Sequence, residues 1–364
     1  MAGIYVHVPF CTAKCAYCDF YSVARRDMAD GYIAAVGREF EARRHELGDG
    51  TVDTLYFGGG TPSLLSPEQF AALSSFFDKA GIKEFTIEVN PDDVTDEKID
   101  AWIAAGVNRI SIGVQSLCDD ELRVVGRRHD ARQALDAIAM LASKGIVNIS
   151  GDLIYGLPGQ TVESFTSSLR RLIGSGITHL SAYSLSYEEG TLLWRRLQEG
   201  RVVPASEDLT VAMYTALCRQ AREAGFEHYE ISNFALPSYR SRHNSSYWRE
   251  VPYLGLGPGA HSFDCEGVRR YVPSDVRTYI RNDGLTAVVD DENDCDRAND
   301  RIMVSLRTAE GLDLSRFSAG QQREIISAAG PWIESGDLVP TARGYAVKEA
   351  SWLVSDAIIR DLLL

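Results

Sequence analysis

Three cysteines fall within eight residues near the start of the chain, in the stretch VHVPFCTAKCAYCDFYS at residues 6–22: Cys11, Cys15 and Cys18. The other four, Cys118, Cys218, Cys265 and Cys295, are scattered, with no partner at ligand spacing along the sequence. Structural thiols buried singly do not cluster in this way. Two metal chemistries compete for C-x3-C-x2-C. A zinc site wants four Cys or His ligands; His7 is near, but the alternating stretch IYVHV need not turn it towards the cysteines. An iron–sulfur cluster takes cysteine thiolates, commonly four. Three would leave one iron of a [4Fe–4S] cube open, and an open coordination position is where a catalytic metal receives a small molecule.

The elements that must position these residues follow a rhythm. Apolar, β-rich runs lie at 4–8, 52–57, 85–90, 109–114, 148–156, 179–185 and 229–234, and helical-period segments lie between them. SPEQFAALSSFFDKAG (66–81) opens with Ser66 as N-cap, Pro67 at the first helical position and Gln69 as capping-box partner. DARQALDAIAMLASKG starts at Asp130 and ends on a C′ glycine, Gly145. SEDLTVAMYTALCRQAREAG runs in the same way to Gly225 and places Cys218 on an amphipathic helix, where a core position is expected. Repeated strand–helix alternation predicts an α/β fold with a parallel sheet and helices outside. About six units suit a barrel or partial barrel. Gly58-Gly59-Gly60 lacks the G-x-G-x-x-G spacing of a dinucleotide-binding sheet.

The rhythm covers 1–235. Residues 236–299 read as an irregular connection with four prolines and an acidic run at 290–296, a solvated loop. Residues 300–364 read as helices with a hairpin, a smaller α+β, winged-helix-like domain. That segment holds nine acids and seven bases, so it is not expected to read DNA. The chain has 364 residues, enough for a large core, and its 45% hydrophobic and 24% charged content is ordinary for a globular protein. A net charge of −14 argues against nucleic-acid partners. No apolar run reaches membrane-spanning length. Met1-Ala2-Gly3 leads directly into IYVHVPF without a signal pattern, so a cytoplasmic location with reduced thiols is expected.

The triplet after the first strand, with GGGTPS after the second, resembles the radical S-adenosylmethionine (SAM) proteins. The resemblance implies a partial (β/α)6 TIM-like barrel and a [4Fe–4S] cluster on Cys11, Cys15 and Cys18. It also implies that the open iron chelates the amino and carboxylate groups of SAM, whose cleavage yields a 5′-deoxyadenosyl radical. Further candidates lie at the C-terminal ends of strands, where barrel enzymes place their chemistry. They are Gly59, Gly60 and Thr61, then Glu88, Gln115 and Asp152, with Arg127 on the segment after the fourth strand. Carboxylates suit the ammonium or ribose hydroxyls of SAM, and arginine suits its carboxylate. Taken singly, Glu88 or Asp152 also fits a helix cap and Arg127 a surface ion pair. Tyr5 precedes the triplet, where the resemblance implies a SAM contact and the bland alternative is a packed aromatic.

YVHVPFC, FGGGTPS, GVQS and DLIYGLPGQT are similar to the oxygen-independent coproporphyrinogen III oxidase-like family, over essentially the whole chain. That family contains the oxidase and a heme-chaperone branch. The oxidase pattern adds a cysteine two residues after the triplet, where this sequence has Phe20, and an extra segment ahead of the cluster, where only ten residues precede Cys11. The chaperone branch carries H-N-x-x-Y-W, here HNSSYW at 243–248. The resemblance therefore implies heme binding and transfer to acceptor proteins, respiratory-chain proteins among those suggested, with transient membrane association compatible. Coproporphyrinogen oxidase activity is the alternative and is not expected. The implied heme contacts are His243, Asn244, Tyr247 and Trp248. His261 is a second ligand candidate, and His228 is read as structural.

Overall fold

The computed structural model describes residues 1–364. Six parallel strands form its centre: β1 (Ala2–Val8), β2 (Val52–Gly59), β3 (Glu84–Val89), β4 (Arg109–Gln115), β5 (Asn148–Tyr155) and β6 (His179–Ser184). They neighbour one another in sequence order, as right-handed strand–helix–strand crossovers produce. β1 and β6 do not pair, so the barrel is partial.

The strands alternate in character. Ile4, Val6, Val8, Leu55, Phe57, Phe85, Ile87, Val89, Ile110, Ile112 and Val114 all join one large core under the surrounding helices. Full burial of each such side chain is worth roughly 1.5–3 kcal/mol. The opposite parity is polar: Tyr5, His7, Thr54, Tyr56, Glu84, Thr86, Glu88, Arg109, Ser111, Ser150, Asp152, His179 and Ser181. A side-chain period of two puts this second set on the inner face.

The expected capping boxes form. Ser66 and Asp130 each accept from the backbone three residues on, and Gln69 and Gln133 answer them. Gly145 follows the second of these helices at φ 88°. The helix from Ser66 is shorter than its pattern, spanning Pro67–Ser74. The hydroxyls of Ser74 and Ser75 bond back to Ala71 and Ala72, a local alternative that helps end it.

The run at 229–234 is not one strand. It folds into a hairpin of β7 (Glu227–Glu230) and β8 (Asn233–Ala235), with β8 antiparallel to β6. The Glu230 carboxylate accepts from the Ser232 amide and the Asn233 side chain and so closes the turn.

The stretch expected to be irregular also folds. Helix Arg242–Trp248 is followed by β9 (Tyr253–Leu256), which lies parallel to β1, and then by antiparallel β10 (His261–Phe263), β11 (Arg269–Tyr271) and β12 (Val288–Val289). A buried cluster fastens it. Arg43 donates to Glu39, to the Gly255 carbonyl and to the Ser262 hydroxyl. Glu39 also accepts from the Gly257 amide and the Tyr279 hydroxyl. The partners from Gly255 to Tyr279 stand more than 200 residues from Glu39 and Arg43 in sequence, so local pattern could not reveal the fold.

The last residues make the expected small α+β unit. Its sheet is β13 (Leu312–Asp313), β14 (Leu338–Pro340) and β15 (Gly344–Val347), packed with helices Asp294–Ser305, Ala319–Ser335 and Ser355–Leu362. No helix is long and apolar enough to cross a membrane.

Candidate cofactor site

The cysteine loop leaves β1 at Val8 and is held at both flanks. Val23 donates to Pro9 and receives from Cys11, while the Ala16 amide reaches Val125 and its carbonyl receives Leu193. This anchoring places Cys11, Cys15 and Cys18 on one cavity of about 470 Å³ at the C-terminal ends of the strands. Gly59, Gly60, Thr61, Glu88, Gln115, Arg127 and Asp152 line the same cavity.

The glycines have a steric reason. A Cβ on Gly60 would stand 2.7 Å from the Phe10 carbonyl and 2.8 Å from that of Val8, both backbone atoms that cannot move aside. Gly59, at φ 102°, would meet the His7 ring at 2.7 Å. The end of β2 thus presses directly on the loop that carries the cysteines.

The charged groups are half-buried and hydrogen-bonded. Glu88 accepts from Tyr56 at 2.8 Å and from the Gly59 amide at 3.0 Å. Burial, reinforced by Asp152, pushes its carboxyl up to about 7. Asp152 accepts from Ser111 and Ser150 and is pushed up by burial to about 6. Arg127 donates to Asn90 at 2.9 Å and to the Gly113 carbonyl, and its Nη1 reaches the Cys15 sulfur at 3.5 Å. Its Nε is buried without a partner. Cys11 and Thr61 touch through sulfur and hydroxyl at 3.1 Å.

The donor set fits the group that the triplet implies. Three unpaired thiols share one cavity with an under-partnered guanidinium and two half-buried carboxylates. His7 is not among the lining residues. Its Nε2 donates to the Tyr21 carbonyl at 2.9 Å, so Nδ1 is the acceptor facing the Tyr5 hydroxyl at 3.3 Å.

Tyr5 lies outside this cavity. It borders a second cleft of about 330 Å³ with His7, Phe20, Tyr21, Tyr247, Tyr253 and His261. Phe20 lines both spaces and is 64% exposed. Neither ring nitrogen of His261 has a hydrogen-bond partner within the protein, and the residue is exposed.

His243 is placed differently. It is 1% exposed, with Nδ1 against Thr54 at 2.8 Å and Nε2 against Tyr247 at 2.7 Å. Tyr5 and Tyr56 stack on its ring, and burial lowers its pKa to about 3. The amides of Arg242 and His243 cap onto Glu84, at the start of β3. His243 as placed is therefore a satisfied core histidine far down the strands from the cysteines, with no free nitrogen for iron. Asn244, Tyr247 and Trp248 are half-buried on the same helix, and only Tyr247 reaches the aromatic cleft.

Sequence reasoning missed Asn90, Ser111 and Tyr183, which also line the cofactor cavity. Ser111 was accessible through parity, two residues before Gly113 on the inner face of β4. Asn90 follows Glu88 by two residues and could have been found in the same way.

A cysteine triplet opening onto such a cavity, above a partial (β/α)6 barrel, defines a radical SAM protein, and residues 5–172 match the family model of the Radical SAM superfamily. The curated protein "Heme chaperone HemW" of Lactococcus lactis is 34% identical over 86% of this chain and 83% of its own length. Its Mycobacterium tuberculosis namesake is 33% identical over 99% of this chain and 94% of that protein. The chain belongs to the HemW family of radical SAM proteins. Its fold also matches that of coproporphyrinogen III oxidase (HemN) from Escherichia coli, with a TM-score of 0.84 and 23% identity over 100% of this chain and 90% of that one. The family implies a [4Fe–4S] cluster and SAM.

Proposed function

We propose that this protein binds heme and hands it to acceptor proteins, with Cys11, Cys15 and Cys18 holding a [4Fe–4S] cluster. Gly59, Gly60, Thr61, Glu88, Gln115, Arg127 and Asp152 then receive SAM. Bound there, the cluster and SAM would supply one-electron chemistry. The protein's residues would orient SAM through Arg127 and the two carboxylates, and the pressed backbone at Gly59 and Gly60 would keep the cavity narrow.

Two relatives that match 86% and 99% of this chain carry the heme-chaperone name. The observation that carries the heme reading in this chain is the aromatic cleft. Flat aromatic walls suit a porphyrin face, and imidazole is a common axial ligand of heme iron. His261 has the accessible ring there, whereas His243 would have to break two hydrogen bonds and leave the core. Phe20, shared by both spaces, sets the heme edge beside the cluster cavity. We place this activity in the cytoplasm.

A heme titration followed by absorption tests the reading. His261→Ala is expected to weaken heme binding at least tenfold, with the cluster spectrum unchanged. His243→Ala is expected to lower the melting temperature and leave affinity within about threefold when measured well below it. The reverse pattern would reject the cleft. Turnover of coproporphyrinogen III by the reconstituted protein with SAM and reductant would favour the oxidase instead.

A further inference from the structure

One cluster of side chains outside both spaces is left without a role. Cys218 on helix Glu207–Glu223, His228 on β7 and Glu349 at the start of the turn Glu349–Val354 converge. Their sulfur, ring nitrogen and carboxylate oxygen all lie within 4.8 Å of one another. Two belong to the barrel and the third to the C-terminal unit, 121 residues beyond His228.

The hydrogen bonds fix the tautomer of the neutral histidine. Its Nε2 faces the Ile231 carbonyl at 3.3 Å. A carbonyl only accepts, so Nε2 carries the proton and Nδ1 of the neutral ring is bare. That bare nitrogen points at the Glu349 carboxylate, 3.1 Å away, and at the Cys218 sulfur, 3.9 Å away. A lone pair facing a carboxylate oxygen at this distance is repulsive unless a proton or a metal cation lies between them. The ring cannot turn away, because it stacks on Phe234 at 3.9 Å and meets Trp352 edge-on at 4.1 Å. Arg222 holds the other oxygen of Glu349.

We propose that Cys218, His228 and Glu349 bind one zinc-class divalent cation, which fastens the C-terminal unit to the barrel. Zinc bonds of about 2.3 Å to sulfur and about 2.0–2.1 Å to nitrogen or oxygen put tetrahedral ligands roughly 3.3–3.6 Å apart. The observed 3.1 Å from nitrogen to oxygen and 3.9 Å from sulfur to nitrogen each fall within about 0.4 Å of that spacing, and the sulfur and the carboxylate lie within 4.8 Å of each other. A backbone carbonyl on the far nitrogen is how metal-bound histidines are usually oriented. One thiolate, one imidazole and one carboxylate suit zinc over magnesium or calcium. The fourth position faces a cleft of about 530 Å³, open to water. On binding, the Cys218 thiol gives its proton to solvent.

The site does not depend on the heme reading. Cluster-loaded protein, stripped with a mild chelator, is titrated with zinc and followed by elemental analysis and thermal melting. The expected result is one zinc per chain beyond the cluster and a higher melting temperature. Cys218→Ser and Glu349→Gln should each weaken zinc binding at least tenfold and abolish the shift in melting. Glu349 sits on a turn, so its variant keeps the test usable should Cys218→Ser fold poorly. In a chain with Cys11, Cys15 and Cys18 all replaced by serine, cobalt should give a thiolate charge-transfer band that Cys218→Ser removes. No zinc beyond the cluster, or zinc unaffected by both variants, overturns the proposal and leaves a protonated histidine paired with Glu349.

Discussion

Glu88 shows how one residue can serve binding at the expense of stability. Its carboxyl, pushed up to about 7 by burial, holds its proton more tightly folded than unfolded. The native state therefore binds more protons between about pH 4.5 and 7, and stability falls as pH rises through that window. A cationic ligand acts the other way, since it needs the ionised form. On the proposed role, SAM affinity should rise through pH 6–7, as Asp152 and then Glu88 ionise. Glu88→Gln should stabilise the ligand-free protein at pH 8 by on the order of 1–2 kcal/mol. That is about 3 kcal/mol of relieved charge burial less about 1 for a lost hydrogen bond. The same variant should bind SAM about tenfold more weakly. Denaturant melts at pH 5 and 8 and a SAM titration check both signs; a variant less stable at pH 8 with unchanged SAM affinity would defeat the assignment.

At the scale of elements, local signals were legible and long-range ones were not. The capping boxes at Ser66 and Asp130 lie within four residues, and the cysteine triplet within eight, so the sequence displays them directly. The inner-face residues were legible because a parallel strand alternates strictly. The hairpin at β7 and β8 was hidden because Glu230 closes it with a side chain where no glycine or proline marks the turn. His243 was read from a motif, and only the tertiary fold shows Thr54 and Tyr247 consuming both nitrogens. Cys218 had no partner along the sequence, yet His228 and Glu349 meet it in space. The clamp on β9 and its neighbours is the strongest hidden feature, and it predicts its own cost. Glu39→Ala leaves the Tyr279 hydroxyl and Gly257 amide without their acceptor and takes away one of the two carboxylates on Arg43, which keeps Glu46. Leaving two buried donors unsatisfied costs about 2–6 kcal/mol. The expected outcome is a loss of that size in chemical denaturation, with early hydrogen exchange at 253–263. A loss under 1 kcal/mol would mean that β9 is held by its pairing with β1 alone.

The whole molecule depends on how the C-terminal unit closes the sheet. β7 and β8 form one end of the twelve-stranded sheet, and an unpaired end invites association with other chains. Residues after 300 cover it with backbone bonds: Ile231 donates to the Arg307 carbonyl, Ala309 donates to that of Tyr229, and Glu230 pairs with Thr308. Arg301 and Arg316 both reach Glu250, and Trp352 packs on His228. None of these residues lines the cofactor cavity. A chain ending at 299 should therefore still load iron and sulfide through Cys11, Cys15 and Cys18, but it should self-associate. Reconstitution followed by light scattering separates the two effects. Retained iron with concentration-dependent aggregation is expected. A monomer melting at the full-length temperature would make residues 300–364 an independent appendage. A truncated chain that stays monomeric yet holds no iron would show that the C-terminal unit shapes the cysteine loop from a distance.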